Sequence, residues 1–371
     1  MCKVRLTGVS LCLLALMAPL STVAQPSATL TSRVSTLAGT PGQSGTTDGV
    51  GAAARFELPS GLAVAPTVQR ALVTEPNMHT IRQIDLTTQA VTTLAGGPEE
   101  AGSVDGVRTD ARFDAPKGIA ITHDGTMALI ADTNNHLIRQ LDVATGTVTT
   151  LAGTSGESGY VDGVGADVRF NNPGSIAMTA DGDLALVADT SHSLIRQIDV
   201  ATGQVTTLAG DYFNPGWKDG IGTDAHLDLP VGIALTPDGT VALVTEVLNN
   251  TIRHVVVETG QVTTLAGEPG VRGSADGIGR STHFWSPNGV TITADGRLAL
   301  IADANNTTIR AVELSTGTVT TLAGQVRQQG YRDGTGRQAQ FQYPVDVVLS
   351  PDGTTAWDKP RHNMSALRHL W

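Results

Sequence analysis

Cysteine is almost absent from this chain of 371 residues. The two that occur, Cys2 and Cys12, both lie within residues 1–24. Those residues are typical of a secretory signal, with basic Lys3 and Arg5, a short apolar run, and small residues before position 25. The rest of the chain has no cysteine, so no disulfide or thiol chemistry is available to it, and we expect packing alone to stabilise it.

Long apolar runs and an excess of positive charge are also lacking. No stretch, including the one in residues 1–24, reaches the about 20 apolar residues that a membrane-spanning helix needs. The formal net charge is -11, and removal of Lys3 and Arg5 with the signal would make it -13. This acidity argues against nucleic acids and anionic membrane surfaces as partners. We expect a secreted or periplasmic protein that is monomeric.

A repeat dominates what is present. The segment Val-Thr-Thr-Leu-Ala-Gly begins at positions 91, 148, 205, 262 and 319, with a variant at 34, so every interval is 57 residues. A period of this size indicates a propeller, a solenoid or an array. The second repeat shows four β-type runs bounded by turn residues. They are strand a (Gly118–Thr122), strand b (Met127–Asp132), strand c (Leu137–Asp142) and strand d (Thr147–Ala152).

Four strands joined by tight hairpins make one antiparallel propeller blade. Strand a occurs six times, but only five d strands follow an a strand. We therefore predict an all-β, six-bladed β-propeller over residues 33–371, preceded by a linker at 25–32. The N-terminal strand Arg33–Ala38 would complete the last blade and close the ring, which removes an exposed edge. A solenoid would need capping repeats and has no use for a split copy.

The connection from strand d to the next strand a is about 20 residues long, which is unusual for a compact domain. Each of these loops contains Gly-x-x-Asp-Gly, which we interpret as a turn, with strand d as the outermost strand. Each loop also carries one large apolar side chain that we expect to plug the space between blades. These are Phe56, Phe113, Phe170, Leu227, Phe284 and Phe341.

The repeat resembles the NHL-repeat family of six-bladed propellers. The resemblance rests on Ala111-Arg112-Phe113 with Pro116 and Gly118-Ile-Ala, on Asp124-Gly125, and on Ala131–Arg139, and it covers residues 33–371. It implies the propeller fold. Families that share or approach this fold include extracellular adhesion domains, RNA-binding modules, amidating lyases and calcium-dependent lactonases. The repeat here is longer than the usual NHL unit.

An acid at the end of strand b and an arginine on strand c recur in five blades. Because b and c are antiparallel neighbours, the two side chains face each other, and a repeated pair predicts a structural ion pair rather than five catalytic sites. The pairs are Glu75 with Arg82, Asp132 with Arg139, Asp189 with Arg196, Glu246 with Arg253 and Asp303 with Arg310.

Departures from the repeat are better candidates for function. The chain has only 14 aromatic residues, and seven of those outside the plug positions fall in the d-to-a loops. Exposed aromatics favour binding, so with Lys218 they form a predicted surface for a protein, peptide or glycan. The alternative is that they pack loop against loop. The set is Tyr160, Tyr212, Phe213, Trp217, Lys218, Trp285, Tyr331 and Tyr343.

A second departure precedes the loop proline, where oxygen-bearing side chains could ring the channel mouth. They would hold Ca²⁺ there if they converged, as the resemblance to calcium-dependent lactonases implies; alternatively they cap the last turn of the loop. The four candidate ligands are Glu57, Asp114, Asn171 and Asp228.

Two function hypotheses follow. The first is a secreted binding scaffold without enzymatic activity or cofactor, since the chain has no Gly-x-Ser-x-Gly elbow, phosphate loop or cysteine nucleophile. The second is a calcium-dependent hydrolase or lyase of the gluconolactonase type at the channel mouth.

Overall fold

The computed structural model describes residues 33–65, 67–349, 356–360 and 364–370. The predicted signal and linker lie outside these residues. The described strands form six antiparallel sheets, which are the six predicted blades. No helix in the described part of the chain is long and apolar enough to cross a membrane.

Each blade contains the four predicted strands. The innermost strands, a, are Leu62–Ala65, Pro116–Ile121, Pro173–Met178, Pro230–Leu235, Pro287–Ile292 and Pro344–Leu349. The b strands are Arg70–Glu75, Met127–Asp132, Leu184–Asp189, Val241–Glu246, Leu298–Asp303 and Ala356–Pro360. The c strands are Thr80–Asp85, Leu137–Asp142, Leu194–Asp199, Thr251–Val256, Thr308–Glu313 and Met364–Leu370. The d strands are Ala90–Ala95, Thr147–Ala152, Gln204–Ala209, Gln261–Ala266, Thr318–Ala323 and, for blade 6, Arg33–Pro41.

Strand d is not the outermost strand, because a two-residue strand e pairs with its outer edge in every blade. In blade 2, Gly106 and Val107 pair with Val148 and Thr147. The glycine of Gly-x-x-Asp-Gly thus belongs to a strand rather than to a simple turn. The e strands are Gly49–Val50, Gly106–Val107, Gly163–Val164, Gly220–Ile221, Gly277–Ile278 and Gly334–Thr335.

Short 3₁₀ helices connect these strands. One follows each strand e: Gly51–Ala53, Arg108–Asp110, Gly165–Asp167, Gly222–Asp224, Gly279–Ser281 and Gly336–Gln338. Three others lie in b–c hairpins: Thr133–Asn135, Thr190–His192 and Ala304–Asn306. Because the d-to-a loops and the b–c hairpins lie at the same ends of antiparallel strands, they share one face of the propeller, which we call the loop face.

Ring closure by the N-terminus is confirmed. Arg33–Pro41 pairs with Met364–Leu370 in the register Val34 to Leu370 through Pro41 to Met364. It also pairs with the e strand Gly334–Thr335. The buried side chains of Val34 and Ala38 join the apolar clusters on either side of blade 6. The first and last strands of the propeller therefore form a single sheet.

The core lies between neighbouring blades. Phe113 is fully buried and packs in one cluster with residues of blades 1 and 2, including Leu72 and Ile130. The six plug residues are all 0–1% exposed, which confirms their predicted role. Burial of one such side chain contributes about 2–3 kcal/mol by removing apolar surface from water.

The innermost strands approach one another so closely that glycine is required in most blades. A Cβ atom on Gly61 would lie 2.2 Å from the carbonyl oxygen of Lys117, and one on Gly232 would lie 2.2 Å from that of Asn288. These strands enclose a central cavity of about 830 Å³.

Candidate functional site at the junction of blades 3 and 4

A buried arginine ties each of the first five blades together. The five predicted acid–arginine pairs are confirmed, with N–O distances from 2.8 to 3.3 Å and both side chains fully buried. The same arginines also bind the aspartates of the Gly-x-x-Asp-Gly segments at 2.7–2.8 Å, namely Asp48, Asp105, Asp162, Asp219 and Asp276. This second carboxylate was not predicted as a partner of the arginine, although it recurs in every repeat.

Each aspartate of this second set also binds strand d. Asp105 accepts the backbone N–H and the hydroxyl of Thr150 at 3.1 and 2.9 Å. Four of the arginines lie over the plug phenylalanine of the same blade, 5.0–5.4 Å from the ring centroid, where a cation–π interaction adds stability. The Gly-x-x-Asp-Gly segment of these five loops is thus fixed, and the repeated charges are structural.

The buried acids also position the other end of each loop. Asp132 Oδ1 accepts the backbone N–H of Asp114 at 2.7 Å, and its other oxygen accepts from Arg139. Burial raises the pKa of Asp132 to about 6, although the Asn135 amide and the Arg139 guanidinium oppose the rise. Burial likewise raises the pKa of Asp303 to about 6, against the opposing effect of Arg310.

Two further hydrogen bonds connect the loop face in a regular way. The Asn side chain of the b–c hairpin donates to a loop glycine carbonyl in three blades, as Asn135 does to Gly102 at 2.6 Å. A left-handed residue near the start of the following loop donates its N–H back to the hairpin, as Gly156 does to the Asn135 carbonyl at 3.3 Å. We call the second bond the loop latch; it recurs at Glu99, Gly156, Gly270 and Arg327.

Blade 3 has neither the hairpin Asn nor the loop latch. His192 stands where blades 2, 4 and 5 have the hairpin Asn, and it is only 5% exposed. Its Nδ1 lies 3.3 Å from Asp189 Oδ2, and its Nε2 lies 3.4 Å from the Asn171 amide nitrogen. With the Asn171 amide nitrogen as donor, Nε2 is the acceptor and Nδ1 is the nitrogen that can donate to Asp189.

The loop that follows blade 3 makes no such latch at the corresponding residue, Phe213, and folds on itself. The Phe213 N–H is donated to Asp211 Oδ1 at 2.9 Å, and the Asn214 N–H to the Asp211 carbonyl at 3.2 Å. The Asn214 amide also donates to Asp211 Oδ2 at 2.7 Å. This Asx turn is a local alternative to the latch, and it places two consecutive aromatic residues above His192.

Three of the predicted binding residues come together at this point. Tyr160 and Tyr212 stack at 4.6 Å with an interplanar angle of 27°. Phe213 meets them edge-on at 5.8 and 5.1 Å, and His192 supports Tyr212 from below at 4.7 Å. The exposed fractions are 43% for Tyr160, 40% for Tyr212 and 72% for Phe213. We call Tyr160, Tyr212 and Phe213 the aromatic patch.

The other predicted binding residues are not part of this patch. Trp217 is 53% exposed and lies 5.9 Å from the guanidinium of Arg280. Trp285 is half-buried beneath Arg327 at 4.9 Å. Lys218 is exposed, whereas Tyr331 and Tyr343 are half-buried, and burial raises the pKa of Tyr331. Their role in binding stays a prediction.

Two of the four predicted calcium ligands, Asp114 and Asn171, contact side chains of the b–c hairpin of their own blade. Asp114 Oδ1 accepts from the Asn134 amide at 3.1 Å, and Asn171 contacts His192. Burial raises the pKa of Asp228. In the described part of the chain, no three His, Cys, Asp or Glu side chains are grouped so that they could hold a metal ion. The three carboxylates Glu57, Asp114 and Asp228 therefore do not form a shared site.

No protein-family profile matches the sequence. Over 288 residues it is 31% identical to Protein SUPPRESSOR OF QUENCHING 1 of Arabidopsis thaliana, an alignment that covers 75% of this chain and 27% of that protein. It is 26% identical to human NHL repeat-containing protein 2 over 306 residues, which are 75% of this chain and 42% of that protein. The chain thus spans between a quarter and a half of the length of these relatives.

Solved structures share the fold at low identity. An auxiliary nutrient binding protein from Bacteroides thetaiotaomicron superposes with a TM-score of 0.70 at 18% identity, covering 92% of this chain and 76% of that one. A gluconolactonase from Xanthomonas campestris gives a TM-score of 0.58 at 13% identity, covering 91% and 89%. The chain belongs to the NHL-repeat β-propellers. This follows from its homology to NHL repeat-containing proteins, its six-bladed ring and its recurring strand motifs.

Proposed function

We propose that this NHL-repeat propeller is an exported, non-enzymatic binding scaffold that recognises a protein, peptide or glycan through the aromatic patch on its loop face. The observation that carries the proposal is Phe213, which is 72% exposed at the top of an aromatic stack. Rigid aromatic side chains give large contact area at a small cost in conformational entropy, and they are enriched among residues that dominate binding energy.

The fold itself does not require this patch. Phe213 lies in the loop before blade 4. The loops before blades 1, 3 and 5 carry glycine at the same position, namely Gly42, Gly156 and Gly270. Blades 2, 4 and 5 hold their hairpins with asparagine where blade 3 has His192. Three residues in one loop and one hairpin, Tyr212, Phe213 and His192, thus differ together from the repeat. A concerted local departure that exposes apolar surface is what a binding site needs.

Two solved structures with this fold bear on the proposal. One is described as a nutrient-binding protein and another as a gluconolactonase. The first use of the fold agrees with a scaffold that binds a ligand. The second would need a catalytic centre, and the described residues supply no metal-binding cluster for one.

The test is a binding screen with matched variants. Purified protein would be screened against a glycan array and a displayed peptide library. Hits would be retested with Phe213→Gly, which restores the residue of three other loops. We expect this change to weaken binding about tenfold or more, as for a central aromatic contact.

The control is Val271→Ser, which removes another exposed apolar side chain, 41% exposed in the loop before blade 5. It should leave binding unchanged. Equal binding by wild type and Phe213→Gly would refute the proposal, and so would the absence of any ligand in both screens.

A further inference from the structure

The aromatic side chains of the d-to-a loops differ in what covers their rings. The two loop tryptophans, Trp217 and Trp285, each have a guanidinium over the ring. Arg280 lies 5.9 Å from the centroid of Trp217, and Arg327 lies 4.9 Å from that of Trp285. In both cases the arginine belongs to the following d-to-a loop. The protein thus supplies its own cation to these two rings, in a cation–π arrangement.

The aromatic patch has no such cation. In the part of the chain that the structure describes, no lysine or arginine lies over the rings of Tyr160, Tyr212 or Phe213. In the repeat, Phe213 occupies the position at which the loop before blade 6 has Arg327. An aromatic ring thus stands where another loop places a guanidinium, and this ring is 72% exposed.

The two loops that carry the patch are also acidic. Histidine aside, residues 153–172 and 210–229 contain seven carboxylates and two basic side chains. The loops that supply the two covering arginines, residues 267–286 and 324–343, contain three carboxylates and five arginines. The sign of the charge therefore changes around the propeller, and the uncovered aromatic rings lie in its negative sector, which attracts cations.

Most of this negative charge is not neutralised within the protein. Asp162 and Asp219 bind buried arginines, and Glu157 pairs with Arg169 at 2.6 Å. The other four carboxylates of the two loops make no ion pair with a lysine or arginine of the described residues, and Lys218 is the basic side chain that remains exposed. These four are Asp167, Asp211, Asp224 and Asp228.

Asp211 brings one of these charges directly to the patch, because it precedes Tyr212 in the chain. Its oxygens accept hydrogen bonds from the Asn214 side chain and the Phe213 N–H, which are neutral groups and leave its charge uncompensated. These bonds, the one from Asn214 first, hold the pKa of Asp211 below its usual range. A cation on the patch would therefore be attracted both by the rings and by an ionised carboxylate beside them.

We propose that the aromatic patch binds a peptide segment that presents an arginine side chain, with its guanidinium against the rings and its charge offset by the acidic loops. This inference rests on the function proposed above and narrows its ligand class to basic peptides. Arginine suits the site because its planar guanidinium stacks on aromatic faces. The patch would then receive from its ligand what Arg327 gives to Trp285 within the protein.

The experiment is fluorescence anisotropy with two labelled octapeptides, one of alternating glycine and arginine and one of alternating glycine and citrulline. Citrulline has nearly the shape of arginine but no charge. At about 0.15 M salt, we expect the arginine peptide to bind and the citrulline peptide to bind at least about tenfold more weakly. Binding of the arginine peptide should weaken as the salt concentration rises, because the charges of the exposed loops are screened.

Uncharged substitutions separate the effect of the rings from that of the net charge. Phe213→Gly and Tyr212→Ser introduce the residues of the loop before blade 3, Gly156 and Ser155. Each should weaken binding of the arginine peptide at least about fivefold, although the net charge of the protein is unchanged.

The matched control is Trp217→Ser, which introduces the residue of the loop before blade 5, Ser274. It removes a ring that is 53% exposed but already lies under Arg280. Affinity for the arginine peptide should therefore change less than about twofold. Circular dichroism melts of each variant report folding separately, and the comparison of the two peptides needs no variant.

Three results would overturn the inference. They are no binding of the arginine peptide at millimolar concentration, equal binding of the citrulline peptide, and equal binding of the arginine peptide by wild type and Phe213→Gly. Failure of the proposed function would look different. If the glycan and peptide screens yield a ligand that depends on Phe213 but has no cationic group, the scaffold proposal stands and this inference is wrong.

Discussion

The buried guanidinium of Arg139 lies 2.7 Å from the carboxylate of Asp105, a residue 34 positions earlier in the chain. The same guanidinium reaches Asp132 at 2.8 Å on the neighbouring strand. One side chain therefore joins strand b, strand c and the incoming loop. Blade 6 has Pro360 and Leu367 at the positions of Asp132 and Arg139, so its closure relies on other contacts.

Replacement of this arginine should be costly. Arg139→Leu leaves the buried carboxylate of Asp132 without its cation, and we expect a loss of about 3–5 kcal/mol in the free energy of unfolding. Asp105→Asn should cost only about 1 kcal/mol or less, because its side chain is 49% exposed. Urea unfolding followed by circular dichroism measures both. A double variant, Arg139→Leu with Asp132→Leu, should recover part of the loss. Similar losses for the two single variants would contradict this ranking.

Ring closure can be tested by truncation. A chain that begins at Arg33 should fold like the parent, whereas one that begins at Thr40 lacks most of the strand that pairs with Met364–Leu370. Without it, blade 6 exposes an open edge, and we expect a melting temperature lowered by more than about 10 °C, or aggregation. Differential scanning calorimetry and size-exclusion chromatography give the result. Identical melting of the two chains would rule out closure by the N-terminal strand.

The titration of Asp132 should depart from that of an ordinary aspartate. Its pKa is raised from 3.8 to about 6 by burial. Its contribution to stability is therefore fully present below about pH 3.8 and is lost as the pH rises through about 6. His136 acts in the opposite sense, because burial lowers its pKa from 6.5; its contribution is lost as the pH falls below that value.

Because these two effects overlap, the measurement is site-specific. Carbon-13 NMR of labelled aspartate carboxyl groups, assigned with Asp132→Asn, should show a midpoint near pH 6 for Asp132. Asp124, whose pKa is lowered by hydrogen bonds from Thr122 and Thr126, serves as an internal comparison and should titrate below pH 3.8. A midpoint for Asp132 below that of Asp124 would show that the arginine outweighs burial.

Calcium removal should have little effect. The three candidate carboxylates do not form a shared site, so dialysis against a chelator should leave the melting temperature unchanged within about 1 °C. Elemental analysis of the purified protein gives an independent reading. Stoichiometric calcium, or a stabilisation of several degrees on its addition, would restore the hydrolase hypothesis.

The repeat made much of the fold predictable. Strands b, c and d of blade 2 have the predicted bounds, while strand a runs from Pro116 to Ile121 rather than from Gly118 to Thr122. These strands are long enough for their apolar pattern and turns to be visible in the sequence. Strand e was missed because two residues, such as Gly106–Val107, give no periodic signal. The neighbouring Asp105 binds Thr150 of strand d and Arg139 of strand c, and these tertiary contacts are not visible in the local sequence.

The aromatic patch was only partly predictable, because its geometry also depends on tertiary contacts. The sequence predicts Tyr160 and Tyr212 as loop aromatics, but their stacking depends on two loops that bring together residues 52 positions apart in the chain. His192 was missed as a member of the group, although alignment of the repeats places it at the position of Asn135 and Asn249. The replacement of Asn by His at this position could have indicated that blade 3 differs from the repeat. The Asx turn at Asp211 could not be predicted, because an aspartate in a loop has many possible hydrogen-bond partners.

The arginine that holds each of these loops has a consequence for how the loop face can be altered. Asp219 and Leu227 anchor the loop before blade 4 in the way that Asp162 and Phe170 anchor the one before blade 3. The segment between the end of strand d and such an aspartate can therefore be exchanged from one loop to another. Transplanting residues 211–218 into another loop, together with the equivalents of Tyr160 and His192, would place a copy of the aromatic patch in a different sector of the disk. A single chain could in this way display the same surface several times, at fixed angular intervals.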